Sequence, residues 1–184
     1  MKNVFKWALT GVIFIYPFLT YWGLKHFEPR YVSVGLIAVV ILRFFLFKDR
    51  NVKILGALSI FASLTLLGMA VLNNSGLTLK LYPVLINLIM LAVFASSLFT
   101  RQSIIERFAR IHEPDLKPAA IKYTRKVTMV WCVFFIINAV ISALTAITSL
   151  AAWTWYNGFF SYVLIGLLFA GEWLFRQYYK RRME

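Results

Sequence analysis

Residues 127–150 read VTMVWCVFFIINAVISALTAITSL, a run without a single charged side chain. A hydrocarbon core about 30 Å thick is crossed by roughly 17–25 apolar helical residues, and this run has that length. Its apolar residues are continuous, whereas the strands of a membrane barrel alternate, so the run predicts a helix. Working outward, comparable runs lie at about 7–24, 31–47, 54–72 and 81–99 on one side, and at about 158–175 on the other. Together they predict an all-α membrane protein of six transmembrane helices, folded as three antiparallel hairpins in one polytopic domain over 1–184. The even-numbered helices end alike (FLFKDR, SLFTRQ, WLFRQY), which suits that pairing.

The composition agrees. Hydrophobic residues make up 61% and charged residues 15% of the chain, and the mean hydropathy is +0.74. A soluble fold of 184 residues has too little interior for that much apolar surface. The net charge of +13 would suit nucleic acid only if a folded polar domain carried it, and none is present. In a membrane chain, basic excess collects on the cytoplasmic side. With both termini cytoplasmic, seventeen of the twenty Lys and Arg fall on that side, leaving Lys25, Arg30 and Lys80 outside. The uncharged AAWTWYN at 151–157, with two Trp, fits an outer interfacial turn. These signs predict a multi-pass protein of a membrane with both N- and C-termini on the cytoplasmic face. MKNVFKW and the apolar run after it resemble a signal peptide, but no small-residue cleavage site follows. The expectation is an uncleaved first span, kinked at Pro17. Cys132 is the single cysteine and lies inside an apolar run, so no disulfide framework exists.

One long polar stretch interrupts the pattern: Thr100–Lys126, TRQSIIERFARIHEPDLKPAAIKYTRK. It is read as a cytoplasmic loop, 100–126. Ser103-Ile104-Ile105-Glu106 matches a capping box, in which Ser accepts from the first turn and Glu reaches back. At 100° per residue, Ile104, Ile105, Phe108 and Ile111 share one arc, and Glu106, Arg107 and Arg110 the other. The expectation is a short amphipathic helix in the inner interface, ended by Pro114, with Pro118 keeping the linker extended. Two readings fit: a connector whose charges meet lipid headgroups, or a docking surface for a cytoplasmic partner. The residues at stake are Glu106, Arg107, Arg110, His112, Glu113, Asp115, Lys117, Tyr123 and Arg125.

Polar residues inside the spans form a second candidate set: Arg43, Asn87, Asn138, Glu172 and Arg176. Arg43 and Glu172 lie at matched depth near the inner surface, which suggests an interhelical pair. Glu172 also has Arg176 four residues on, the favourable helical order for an ion pair. Asn87 and Asn138 sit at mid-span and need partners, with each other as one option. Trp131, Asn138, Ser142, Thr145 and Ser149 share one stripe of the fifth helix, and Gly56, Ser59 and Ser63 one face of the third. Small and hydrogen-bonding stripes let membrane helices approach closely. The sequence has no phosphate-binding Gly loop, nucleophile elbow, Cys/His metal set or paired catalytic carboxylates. No catalytic residue, metal or cofactor is therefore assigned.

The second half resembles a family of uncharacterised polytopic bacterial inner-membrane proteins found in aryl polyene (xanthomonadin-type) biosynthetic clusters. The resemblance is carried by Ile105-Glu106-Arg107, Glu113-Pro114-Asp115-Leu116, Tyr123-Thr124-Arg125, Val130-Trp131-Cys132, Phe134-Phe135, Asn138, Tyr156-Asn157-Gly158 and Gly171-Glu172-Trp173. It covers roughly 80–184. More distantly, the aromatic–Asn–Trp spacing is similar to that of the intracellular septation protein A family. The first resemblance implies an accessory to lipid-like polyene or envelope assembly. The partners it implies are the lipid bilayer, soluble acyl-chain enzymes or an acyl carrier protein, and a homo-oligomer is compatible with it. A transporter or flippase for a lipid-linked product, and a septation or envelope-maintenance protein, are the alternative expectations.

Overall fold

The computed structural model describes residues 15–46 and 53–181, with side-chain surroundings for 15–42, 60–111 and 113–177. The start of the first span, the 47–52 connector, and the side chains of Arg43, Gly56, Ser59 and His112 lie outside the described residues. Every regular element among the described residues is helical. In order they are α1 (15–26), α2 (Pro29–Leu46), α3 (Lys53–Asn73), α4 (Gly76–Lys80) and α5 (Tyr82–Leu98). After these come α6 (Ile104–His112), α7 (Pro118–Thr148), α8 (Leu150–Trp155), a π-helical turn (Tyr156–Phe160) and α9 (Ser161–Arg181).

Two of the described helical stretches are long and apolar enough to cross a membrane, Pro118–Thr148 and Leu150–Gln177. Pro29–Leu42, Ile60–Asn73 and Tyr82–Leu98 are shorter apolar helices. The distribution of polarity is reversed from that of a soluble protein. Asn87, Asn138, Ser142, Asn157 and Ser161 are buried, while Val133, Ile136, Ile137, Val140 and Leu144 on α7 are exposed. Val163, Leu164, Leu167, Phe169 and Leu174 on α9 are exposed as well. An apolar surface that extensive requires an apolar surrounding, so the fold is suited to association with a membrane.

Local chemistry sets the turns. Asn74 adopts φ 44°, the left-handed conformation that Asn tolerates better than most side chains. The amide of Ser75 then reaches back to Ala70 O at 3.3 Å, and that of Asn74 to Val71 O at 3.4 Å, closing the end of α3. The Asn74 side chain accepts from the Arg30 amide at 3.1 Å and donates to Glu28 at 3.3 Å, which ties the start of α2 to the end of α3. Ser75 caps α4 by accepting from Thr78 N. Lys80 Nζ donates to Ala146 O in the last turn of α7, where a cation also opposes the helix dipole. Partial burial holds the Lys80 pKa below its ordinary value.

The helix α7 organises the packing. It runs antiparallel to α5: Lys80 meets Ala146, Asn87 meets Asn138, Phe94 stacks on Trp131, and Leu98 O accepts from Arg125. It also runs antiparallel to α9, as Asn138–Ser161, Trp131–Phe169 and Tyr123–Glu172 successively show. Near α9, Phe94, Trp131, Phe134 and Phe135 form an aromatic cluster with neighbouring ring centroids 5.1–6.1 Å apart. At the opposite end Tyr16 of α1 packs against Tyr82 and Trp153, with centroids 5.0 and 6.0 Å away.

Two expected boundaries differ. The AAWTWYN segment is helical rather than a turn: Ser149 alone breaks the chain, and its side chain caps α8 at Ala152 N, 3.0 Å. A single extended residue (φ −154°, ψ 154°) is enough to reverse direction, which leaves 151–157 free to start the last long helix. The loop 100–126 is also shorter than its polarity suggests. Pro118 is the first residue of α7, where its missing N–H costs nothing, so 118–126 is helical and only 99–117 connects α5 to α7.

Candidate functional site

The connector forms first around Ser103, whose hydroxyl caps α6 at Glu106 N, 3.4 Å. The second half of the expected capping box is replaced. Glu106 is 3% exposed and its carboxylate turns forward to Arg110, at 2.9 Å from Nε and 2.8 Å from the terminal nitrogen. Ser97 at the end of α5 supplies the other cap by accepting from Ile104 N at 3.0 Å. Glu106 therefore belongs to the packed face of α6 and not to its outer arc. Ile105 shares that packed face, against the Trp131 cluster. Phe108 and Ile111 are 57% and 72% exposed, the apolar edge an interfacial helix would give to lipid.

All three arginines expected to dock a partner bond within the chain, Arg107 and Arg125 while remaining exposed. Arg110 also donates to Pro114 O at 2.7 Å. Arg107 donates to Gln102 O and to Thr100 Oγ1, both at 3.2 Å. Arg125 donates to Leu98 O, satisfying a terminal carbonyl of α5. They brace the connector against the helix ends. Arg101, Lys117, Lys122 and Lys126 are exposed as well, with Glu113 and Asp115 exposed beside them.

Higher on α7 the expected asparagine pair is present. Asn138 Nδ2 donates to Asn87 Oδ1 at 2.9 Å and to Ser161 Oγ at 3.1 Å. Tyr156 donates to Asn138 Oδ1 at 2.8 Å. Asn87 Nδ2 turns to Pro83 O at 2.8 Å, and Ser142 donates to Asn157 Oδ1 at 2.7 Å. Each amide is occupied and the group is buried, so this seam holds helices together. Of the stripe that contains it, Trp131 and Ser142 are buried, Thr145 bonds Ser142 O, and Ser149 is a cap. Ser63 on α3 is buried too. Tyr156, Asn157 and Ser161 were not singled out as partners, because 151–157 reads as a turn. The π-helical turn beginning at Tyr156 brings them onto α7.

Below the seam, α7 and α9 leave a groove of about 620 Å³. Its α7 wall carries Ala119, Lys122, Tyr123, Lys126, Val130 and Trp131, and its α9 wall Leu167, Leu168, Gly171, Glu172 and Phe175. Tyr123 donates to Glu172 O at 3.3 Å and joins the two walls. The charged ends of Glu172 and Arg176 do not come within ion-pairing distance. The ion pairs among the described residues are Glu28–Arg30 and Glu106–Arg110. A Glu172–Arg43 pair rests on a side chain outside the described residues. Lys122 and Lys126 were missed as site residues. The signal was available: once 118–126 is helical, Ala119, Lys122, Lys126 and Val130 fall on one face.

No group of metal-ligating side chains occurs among the described residues. No protein-family model, curated protein or solved structure matches the chain.

Proposed function

We propose that this chain is a six-span protein of the bacterial inner membrane, with three antiparallel helical hairpins and both termini in the cytoplasm. In this reading it is a non-enzymatic accessory of lipid-like (aryl polyene) or envelope biosynthesis, as expected for the family its second half resembles. It would hold an acyl carrier protein or soluble acyl-chain enzymes at the membrane. The observation that carries the reading is the division of labour among the basic residues. Arg107, Arg110 and Arg125 bond within the chain and brace the connector, while Arg101 and Lys117 on the connector are exposed. A braced platform with outward cations would steer an acidic protein and lose little entropy on docking it.

The test is a low-salt pull-down with Arg101 and Lys117 changed to Glu. Loss of acidic partners is expected, and retention of every partner would sink the docking role. Reporter fusions after Lys117 and after Asn74 test the orientation, with the first expected inside and the second outside. A transporter or flippase for a lipid-linked product is the second reading, favoured by the open groove between α7 and α9. Of the polar residues inside the spans, Asn138 has its amide fully engaged, so Glu172 and the groove would have to carry it. Accumulation of finished product in a deletion strain would favour that reading, and loss of synthesis the first.

A further inference from the structure

The groove opens at the depth where α7 changes from apolar to basic. We propose that it is a binding site for one acyl chain of an anionic phospholipid, whose phosphate sits between Lys122 and Lys126. The two lysines are four residues apart on α7 and both line the groove, so their ammonium groups can reach one headgroup together. Val130, Trp131, Leu167 and Leu168 give the deeper part an apolar wall suited to a hydrocarbon chain. At about 620 Å³ the space lies within the range of roughly 300–1,000 Å³ typical of small-molecule sites. Gly171 keeps the α9 wall thin: a Cβ built there would meet nothing within 4 Å. Glu172 is the one acid among the described lining residues, and it stands on the α9 wall opposite Tyr123. The two lysines of the α7 wall outnumber it, which leaves the mouth of the groove net positive for the phosphate.

This inference rests on the membrane placement proposed above; it assigns Lys122 and Lys126 to the lipid and leaves Arg101 and Lys117 as the cations of the docking reading. The experiment uses the full chain reconstituted in nanodiscs of equal phosphatidylglycerol and phosphatidylcholine, with retained lipid counted by native mass spectrometry. Carbonate-resistant insertion is measured first. Failure there would overturn the membrane reading along with this site, whereas failure of lipid retention alone overturns only the site. The wild-type chain should retain phosphatidylglycerol preferentially. K122Q/K126Q should lose that preference by about fivefold per lysine while still inserting. Gly171→Leu should expel the retained lipid with helix content unchanged, because its side chain enters open space. Equal enrichment in wild type and K122Q/K126Q, or undiminished lipid in a folded Gly171→Leu protein, overturns the proposal. Displacement by oleate but not by added phosphatidylglycerol overturns the phospholipid assignment as well.

Discussion

The two ends of α7 solve opposite problems with the same backbone. Around Asn138 the helix is clamped between α5 and the start of α9, and its amide meets Asn87, Ser161 and Tyr156. Around Lys126 the same helix faces α9 across an open groove. Polar groups sealed among helices serve packing because each has a protein partner. Polar groups at the rim of an unfilled apolar space are placed to meet something else. Being polar and within a predicted span, as both Asn138 and Glu172 are, does not separate the two cases; what surrounds the side chain does.

Asn138→Leu breaks the closed end most severely. It strands Asn87, Ser161 and Tyr156 together and should cost about 2–3 kcal/mol, read as a shift in an SDS-unfolding titration. An unchanged midpoint would show that the seam is not what closes this end. The next effect is Gly158→Ala. Its Cβ would lie 2.6 Å from the Phe18 ring, so α1 or the ring must move, at a cost of about 1–2 kcal/mol. Phe18→Ala in the same chain should recover part of it, and the absence of coupling would mean the ring swings aside freely. Ser103→Ala should loosen α6 by about 1 kcal/mol through the lost cap, seen as faster amide exchange at Glu106. The smallest change belongs to the open end. Gly171→Ala should be neutral or stabilising by about 0.5 kcal/mol, since it gains helix propensity and meets no neighbour. Opposite signs at Gly158 and Gly171, on one continuous helical stretch, would sharpen the contrast. Equal penalties would break it.

Local rules carried the sequence reading far where one residue's chemistry decides the matter. Ser103 as a cap and α6 as a short helix follow from spacing alone, and mid-span depth offered the Asn87–Asn138 pairing as one option. The misreadings have separate causes. Charge and polarity were read as loop, so 118–126, which begins at the helix-starting Pro118, was given to the connector. AAWTWYN, uncharged and with two Trp, was read as an interfacial turn although Ser149 makes the turn. Glu106 was placed on the outer arc because a charge at an interface is expected to meet water, whereas Arg110 lets it stay buried.

Sequence by itself determined that this chain is helical and apolar beyond the capacity of a soluble fold, because hydropathy and period are properties of consecutive residues. It also determined which residues carry charge, and hence the expected asymmetry across a membrane. Only the tertiary structure decided which of those charges brace the protein and which remain outward. Whether Arg125 caps α5 or meets a partner depends on where Leu98 O lies, 27 residues away in the chain. The groove is likewise a property of the distance between α7 and α9, set by their packing through Asn138 and Trp131 and not by either helix alone.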